Sequence, residues 1–581
     1  MAATRPGSSG GAEQFLESAE SRLLELSIES SQADWIHATY ITPDTEALSS
    51  RTYARLIAET VELARGASRF PTASMAPVTA RKAKLLRISL PLIAPSERSL
   101  ADELTRTVAA MQSTYSKGTY RPAGEAAPLD LQGLSRLLTE KRDPVLLRDV
   151  WEGWHTVSVP MRPQFERYVE LANQGAREVG FADTGAMWRS KYDMEPTEFA
   201  EDVERVWQQV RPLYEALHAY VRGRLRAHYG ADVVPADGPI PTHLLGNMWA
   251  QSWEHVLPLV SPPGEAPAYD LTSILRSRNT GPTDMVRYGE KFFVSLGCEP
   301  LPPTFWDRSL FLKPPDREVV CHASAWDLDF LEDVRIKMCI ETTGEDFQVI
   351  HHELGHNYYQ LAYRRQPFLF RDSANDGFHE AVGDTIGLSV TPEYLVRIGL
   401  LDRAPDPAKD LGLLLKTALE KIAFLPFGYF VDLWRWKVFD GSVTPSDYNA
   451  SWWDLKRRYQ GVAPPSDRPE TGFDPGAKFH VAANVPYMRY FLAHVLQFQF
   501  HRALAKVVDW KGPLHRCSIY GNEAAGQKLR SMLEMGASRP WPDALEAITG
   551  ERRVDASAMV DYFAPLLAWL EQQNRDVPVG W

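Results

Sequence analysis

The sequence predicts a mainly α-helical protein, on three observations. Apolar residues recur at three- and four-residue spacing over much of the 581-residue chain, which is the pattern of amphipathic helices. Strand signals are few, the best being residues 317–326. Proline and glycine clusters at 234–241, 261–267 and 300–316 mark loops and not a clean linker, and no internal repeat is present. We therefore expect one structural unit.

The elements follow in order along the chain. Residues 1–14 carry small and polar side chains without the apolar core of a secretory signal, so we expect a flexible tail. The strand signal at 317–326 stands just before a helix over 349–360. The other helical stretches have the same three-and-four spacing, and they lie at about 15–67, 100–118, 130–154, 197–229, 413–439 and 557–574.

The motif His352-Glu353-Leu354-Gly355-His356 is the first chemical signal. On a helix, His352 and His356 lie one turn apart on the same face, where two imidazoles can bind one zinc ion and Glu353 can reach a metal-bound water. Such a short pattern also occurs by chance on ordinary helices. The spacing therefore predicts a zinc site but needs a third ligand.

Glu380 and Asp384 supply what the motif lacks. Catalytic zinc usually takes three protein ligands and keeps one position for water, so Glu380 is the candidate third ligand. Asp384, one turn on, is placed to accept the proton of the outer nitrogen of a ligand histidine. The alternative, two carboxylates on a solvated helix face, fits poorly with the apolar residues around them.

Composition excludes several partners. The net charge is −12, from 63 basic and 75 acidic residues, without a large basic cluster, so we expect no nucleic-acid partner. No apolar run reaches the ~18 residues of a membrane helix, so we expect no membrane segment in this chain. Four cysteines, at 298, 321, 339 and 517, leave open either a Cys321–Cys339 bridge in an oxidising compartment or four free thiols.

Taken together, these segments resemble the angiotensin-converting enzyme family of zinc peptidyl-dipeptidases, in its single-domain form. The resemblance covers most of the chain and is carried by THLLGNMWAQSW, VVCHASAWDL, HHELGHNYYQLAY, GFHEAVGD, FGYFVDLWRWKVFDG, FDPGAKFH, VPYMRYF and SRPWPDALEAITG. It implies a mainly α fold of two helical half-domains flanking a deep central cleft, with a few short strands near the zinc helix. It further implies one catalytic domain over residues 15–581, with the N-terminal helices, about 15–115, as a lid.

The resemblance also implies roles for individual residues. The family's site matches His352, His356 and Glu380 as zinc ligands, Glu353 as general base, and Asp384 as the partner of a ligand. His480 and Tyr490 match the pair that stabilises the tetrahedral oxyanion, a contribution of ~3 to 4 kcal/mol for such donors. The residues that match substrate-binding positions are Gln251, Lys478 and Tyr487 for the peptide carboxylate, and His322, Ala323 and Ala325 for its backbone.

Glutamine at position 251 favours release of a C-terminal dipeptide, because a carboxypeptidase branch of the family has arginine there and releases one residue. The matching side-chain pocket positions are Glu345, Asp346, Gln348, Val349, Phe424 and Phe427, and His494 departs from the aromatic residue typical there. Cys321 and Cys339 match a family disulfide, whereas Cys298 and Cys517 lack partners. The bridge implies a secreted or periplasmic protein.

Chloride activation is a family trait that the sequence supports in part. Tyr220 and Arg489 match one chloride site. The other has Arg189 and Trp452 but Lys456 in place of arginine, which lacks a planar fork. We expect chloride as an activator through Arg489, with the second site weak or empty.

The sequence thus predicts a zinc-dependent peptidyl-dipeptidase that acts on peptides with a free C-terminal carboxylate. Three alternatives stay open: a helical zinc oligopeptidase that cuts internally, a single-residue carboxypeptidase, and a non-catalytic peptide-binding protein. The sequence leaves the oligomeric state undetermined.

Overall fold

A computed structural model describes residues 9–262 and 269–581 of the chain. These residues confirm the mainly α-helical class, with four short strands among the helices. The α-helices are α1 (Ser9–Thr39), α2 (Pro43–Ser68), α3 (Pro77–Arg87), α4 (Arg98–Ser116), α5 (Leu131–Glu140), α6 (Pro144–His155), α7 (Arg162–Glu178), α8 (Thr184–Ser190), α9 (Pro196–Tyr229), α10 (Leu257–Val260), α11 (Leu271–Ser277), α12 (Pro282–Ser295), α13 (Pro303–Arg308), α14 (Gly344–Tyr363), α15 (Phe378–Leu388), α16 (Pro392–Arg397), α17 (Asp410–Phe439), α18 (Tyr448–Leu455), α19 (Phe479–Ala482), α20 (Met488–Val507), α21 (Glu523–Leu533), α22 (Trp541–Thr549), α23 (Ser557–Tyr562) and α24 (Ala564–Gln573).

Proline and capping side chains fix where many of these helices begin. Proline suits the first helical position because its missing N–H has no partner there and its φ angle is already helical. Thr343 caps α14, and its hydroxyl accepts the Asp346 N–H at 3.0 Å. The helices that open with proline are α2, α3, α6, α9, α12, α13 and α16. Local sequence therefore sets the start of α14, the helix that carries the zinc motif.

The first helix begins earlier than the sequence predicts. α1 starts at Ser9, so residues 9–14, expected to belong to a flexible tail, are helical. Ala12 is buried at 2% exposure because this first turn packs against its neighbours. The rest of the expected tail, residues 1–8, lies outside the described residues.

The strands form two separate ladders. β1 (Ile240–Pro241) pairs in parallel with β4 (Val462–Ala463), and β2 (Ser324–Asp327) pairs antiparallel with β3 (Val334–Lys337). β2 is shorter than the predicted strand at 317–326. Residues 317–320 instead contact the end of α1, where Val320 N–H donates to Ala38 O at 2.9 Å. Backbone groups used there are not available for a sheet ladder.

One large core joins most of the chain. Its buried apolar side chains run from Ile93 to Leu570. The two predicted half-domains would therefore share one hydrophobic core. A second, smaller core lies within α1, α2 and α3; its members are Leu16, Ala19, Leu23, Ala67, Ala83 and Leu86. The N-terminal layer, which we define as α1 to α3, is thus packed as a unit of its own.

The N-terminal layer ends before the predicted lid does. The lid is predicted to reach about residue 115, but Leu104 and Met111 of α4 belong to the large core. The layer meets the main body through Phe368 and Leu369, which pack against the smaller core. Within the layer, Lys82 and Glu20 form an ion pair with an Nζ–Oε2 distance of 2.6 Å. A lid role for the layer stays a prediction.

The disulfide prediction is confirmed. Cys321 and Cys339 are joined across a sequence separation of 18, and Cys298 and Cys517 are free thiols. The bridge links the segment before β2 to the residue two positions after β3. Among the described helices, none combines the length and apolar character that crossing a bilayer requires.

α14 and α15 approach each other unusually closely, because two glycines face each other at the contact. A Cβ at Gly355 would lie 2.8 Å from the Cα of Gly383, and a Cβ at Gly383 would lie 2.8 Å from His352 Nδ1. Both distances are shorter than side-chain atoms tolerate. Glycine is therefore required at both positions for the two helix backbones to meet.

We expect Gly383→Ala to destabilise the fold by about 1–3 kcal/mol, because the added methyl group overpacks the contact with His352. Gly387→Ala is the matched control: it lies one turn further along α15, where an added methyl group would meet no neighbouring atom of the described residues within 4 Å. The control should stabilise by up to about 1 kcal/mol through helix propensity. Thermal unfolding of both variants tests this, and equal unfolding midpoints would contradict the glycine contact.

Candidate metal centre and peptide site

The three predicted zinc ligands meet between α14 and α15. Ligand atoms of His352, His356 and Glu380 all lie within 4.8 Å of one another. The two Nε2 atoms are 3.1 Å apart, and His352 Nε2 is 3.5 Å from Glu380 Oε2. Tetrahedral zinc with bonds of about 2.0–2.1 Å requires nitrogen and oxygen atoms separated by about 3.3 Å. The donor set therefore fits zinc in its chemistry, and two of its three ligand-atom distances are close to this value.

Asp384 lies against His352, the ligand that it is predicted to orient. Its Oδ1 lies 3.1 Å from His352 Nδ1, while its Oδ2 accepts from Lys421 Nζ at 3.3 Å and Gln497 Nε2 at 2.9 Å. Burial alone would raise the pKa of Asp384, but the Lys421 ammonium and His352 hold that pKa well below its usual range. A charged carboxylate is thus available to hold the Nδ1 proton and leave Nε2 free for a metal.

His379 gives His356 a comparable partner, which the sequence did not predict. The Nδ1 atoms of His356 and His379 are 3.2 Å apart, and His379 Nε2 is 3.2 Å from the Tyr363 hydroxyl. Burial lowers the pKa of His379 to about 3, so its ring is neutral and can accept a proton from His356. Its position directly before Glu380 is the one signal in the sequence that could have drawn attention to it.

Glu353 lies against the β2 strand. Its side chain is buried, and burial raises the pKa of its carboxyl above the usual range. The imidazole of His352 and a backbone hydrogen bond from Ala325 act in the opposite direction. A carboxylate with a raised pKa suits a general base that must also release its proton.

Gln251, Lys478 and Tyr487, the residues predicted to bind the peptide carboxylate, contact one another. Lys478 Nζ donates to Gln251 Oε1 at 2.6 Å, and the Tyr487 hydroxyl donates to the same oxygen at 3.3 Å. Lys478 is 4% exposed, and within the described ranges no carboxylate forms an ion pair with it. Burial lowers the pKa of Lys478 to about 7. A buried cation without a counter-ion fits a ligand that brings its own negative charge.

An aromatic group connects this cation to the metal site. The Tyr487 ring centroid lies 4.7 Å from that of His480 and 5.0 Å from that of Tyr490. His480 Nε2 is 3.4 Å from the Tyr490 hydroxyl, and Tyr490 is close enough to Glu380 for its pKa to respond to that carboxylate. The predicted oxyanion pair thus lies between the carboxylate site and the metal ligands.

The predicted backbone edge consists of β2 and the two residues before it. β3 occupies one side of β2, and no second strand of the described residues pairs with Ala325. His322 is exposed, and its Nδ1 lies 2.8 Å from Ala323 O. The Ala325 N–H already donates to Glu353, and the other outward backbone groups of this edge can pair with an extended peptide.

The predicted side-chain pocket positions fall into two groups. His494 stacks on Phe424 with ring centroids 4.4 Å apart, and Phe424 and Phe427 both contact Tyr487. Glu345, Asp346, Gln348 and Val349 lie in the first two turns of α14. Asp346 accepts the Glu341 N–H at 2.6 Å, so its carboxylate already serves the backbone.

The predicted chloride pair of Tyr220 and Arg489 is not assembled. The Tyr220 hydroxyl donates to Val260 O at 2.6 Å. Arg489 instead pairs with Asp376, which accepts a hydrogen bond from Tyr192, four residues before the start of α9. Tyr220 lies 24 residues into α9, about 36 Å along a helix that rises 1.5 Å per residue. The sequence match therefore selected the wrong tyrosine.

The second predicted chloride set is also dispersed. Arg189 lies over the Trp436 ring, 5.2 Å from its centroid. Lys456 donates to Trp249 O at 3.0 Å, and burial lowers its pKa to about 7. Trp452 packs against Phe430 and other aromatic rings. No contact of the described residues joins Arg189 to Trp452 or Lys456.

Comparison with known proteins places this geometry in context. A family model described as "Angiotensin-converting enzyme" (Peptidase_M2) matches residues 7–581. The chain is 44% identical to an angiotensin-converting enzyme of Rattus norvegicus, over 98% of this chain and 44% of that protein. It is 45% identical to an angiotensin-converting enzyme of Theromyzon tessulatum, over 78% of this chain and 74% of that protein. The chain spans less than half the length of its mammalian relatives from rat and pig.

We expect His379→Phe to lower zinc affinity by about 10- to 100-fold, because His356 loses the acceptor for its outer proton while the ring volume is kept. Tyr363→Phe, which removes one hydroxyl from the same chain of contacts, should have a smaller effect. Titration against a zinc-competing dye measures the affinity. Unchanged zinc affinity in His379→Phe, with unfolding of the metal-free protein also unchanged, would show that His379 does not orient His356.

Proposed function

Because the chain belongs to the angiotensin-converting enzyme family, we propose that it is a zinc-dependent peptidyl-dipeptidase. It hydrolyses the penultimate peptide bond of oligopeptides and releases dipeptides from a free C-terminus. The observation that carries this proposal is the buried Lys478 beside Gln251 and Tyr487, close to the metal ligands. A cation, an amide and a phenol are the donors that a terminal carboxylate needs.

The chain's own residues supply the proton transfers. His352, His356 and Glu380 would hold zinc, which when bound polarises the scissile carbonyl and lowers the pKa of a water. Glu353 takes the proton from the attacking water and delivers it to the leaving nitrogen as the C–N bond breaks. Tyr490, beside Glu380, donates to the oxygen on which negative charge develops, and His480 holds its hydroxyl.

The position of the cleaved bond is set by where the C-terminal carboxylate of the peptide is held. Lys478 Nζ lies 5.3 Å from the Tyr487 ring centroid, which lies 5.0 Å from that of Tyr490. Both donor groups thus lie next to the Tyr487 ring, and we propose that a dipeptide, which covers about 6.6 Å when extended, occupies the space between them. Gln251 supports the same length, since it accepts from Lys478 and leaves no second cation at its own position.

The two enzymatic alternatives use the same zinc helix but make different demands on a carboxylate site. An oligopeptidase that cuts internally has no need of a buried, unpaired Lys478. A single-residue carboxypeptidase would hold the carboxylate one residue closer to the metal. A non-catalytic peptide-binding protein would have no use for Glu353 against the metal ligands.

Chloride activation, which the sequence favours, is not part of this proposal. Tyr220 and Arg489 have separate partners among the described residues, and the partner of Arg489 is a carboxylate. For location we propose a secreted or periplasmic protein, because the Cys321–Cys339 bridge persists in oxidising compartments.

The products of one peptide test the proposal. A free-acid decapeptide incubated with the zinc-loaded protein should lose two residues at a time, giving the octapeptide and then the hexapeptide by mass analysis. The same peptide with an amidated C-terminus should be cleaved far more slowly. Loss of single residues would support the carboxypeptidase, and internal fragments from both peptides would support the oligopeptidase.

We expect Lys478→Met to raise KM for free-acid peptides by about 10-fold or more, since a charge-assisted hydrogen bond of about 1.5–3 kcal/mol is lost. The wild-type kcat/KM should also fall as pH rises above about 7, because Lys478, with its pKa lowered to about 7, then loses its charge in the free enzyme. Exposed Lys437→Met on α17 is the control and should change neither quantity. An alkaline limb that survives unchanged in Lys478→Met would contradict the assignment.

A further inference from the structure

Two helix starts that carry site residues are joined by an ion pair. Asp376 precedes α15 by two residues and Glu380 by four, while Arg489 is the second residue of α20 and directly precedes Tyr490. Arg489 Nη2 lies 3.2 Å from Asp376 Oδ2. The pair thus connects the backbone that carries a metal ligand to the backbone that carries the oxyanion donor.

A third element fixes the carboxylate of Asp376. The Tyr192 hydroxyl, just before α9, donates to Asp376 Oδ1 at 2.9 Å. The side chains of Arg489 and Asp376 are 29% and 22% exposed. Ion pairs that are partly removed from water and supported by a further hydrogen bond hold their geometry better than exposed ones. Both oxygens of Asp376 are therefore engaged, one by each partner.

The charges around the pair balance. Lys191 and Asp372 both lie close enough to Asp376 and Arg489 to interact electrostatically with them. Asp432, also near Arg489, is paired with Arg435, and its other oxygen accepts the N–H groups of residues 487 and 488. Each cation of the cluster is matched by a carboxylate. No positive excess is left among these described residues for a dissolved anion.

We propose that Asp376 is a built-in counter-ion that holds Arg489, and through it Tyr490, in register with Glu380, so that activity needs no chloride or other dissolved anion. Asp376 is a positioning residue: it touches no reacting atom and acts through the start of α20. This inference rests on the proposed peptidase function for its assay. In this proposal the carboxylate of Asp376 takes the role that chloride was expected to have.

Removing the carboxylate should create an anion site. Without Asp376, the Arg489 guanidinium loses its ion-pair partner. Its Nε already lacks a hydrogen-bond partner among the described residues. A small anion that enters the vacated space has donors to bind. Asp376→Ala should therefore depend on chloride or formate, whereas the wild type should not.

The experiment measures kcat/KM for a free-acid peptide in halide-free gluconate buffer and with about 0.2 M chloride or formate, at matched ionic strength. The wild type should change less than two-fold. Asp376→Ala should lose about 10-fold or more without the anion, as expected for a misplaced oxyanion donor, and recover most of that loss with it. The double variant Asp376→Ala/Arg489→Leu should show no recovery.

Chloride binding gives a readout independent of activity. Line broadening in ³⁵Cl NMR should appear with Asp376→Ala and be absent with the wild type and the double variant. A wild type that releases dipeptides only with chloride would overturn the inference and leave the proposed function standing. An Asp376→Ala variant that neither binds chloride nor responds to it would overturn it as well. A wild type without any dipeptide release would contradict the proposed function alone, since chloride binding is measured separately.

Discussion

The contact between α14 and α15 is the constraint on which the site depends. Two helix backbones meet at Gly355 and Gly383, and only this separation lets Glu380 on one helix share a point in space with His352 and His356 on the other. Because protein interiors are densely packed, a contact without side chains cannot be widened by a methyl group without moving a ligand. Metal binding and helix packing are therefore one requirement at this place.

Partners outside the ligand set give the site its asymmetry. His352 faces the carboxylate of Asp384, whereas His356 faces the neutral ring of His379. Asp384 is itself held by Lys421, so its charge is part of a larger network. A charged acceptor makes one ligand imidazole more basic than a neutral acceptor makes the other. The two histidines of one motif thus differ in donor strength.

The sequence predicted what local rules determine. Helix periodicity indicated the mainly α class, and the four-residue spacings of His352–His356 and Glu380–Asp384 indicated the ligand arrangement. His379 was not predicted, because its role depends on the angle between two helices, which no spacing within one helix encodes. Tyr192, and not Tyr220, contacts the carboxylate that pairs with Arg489, because Tyr192 precedes the first turn of α9 whereas Tyr220 lies 24 residues beyond its first residue, and only the packed structure shows which of these positions meets Arg489. Local sequence patterns thus predict secondary-structure elements and metal ligands. Contacts between elements can be identified only from the folded structure.

The end of the first helix has a consequence for the strand beside Glu353. Val320 N–H donates to Ala38 O, and Ile41 N–H donates to Glu318 O at 3.0 Å, so the N-terminal layer is hydrogen-bonded to the segment that leads into β2. The Cys321–Cys339 bridge lies at the end of that segment and prevents it from following the layer far. Displacement of the layer therefore pulls on the segment that leads into the strand beside Glu353. The position of the N-terminal layer and the alignment of the β2 edge are thus mechanically coupled through these two hydrogen bonds, while the disulfide limits how far the segment can move.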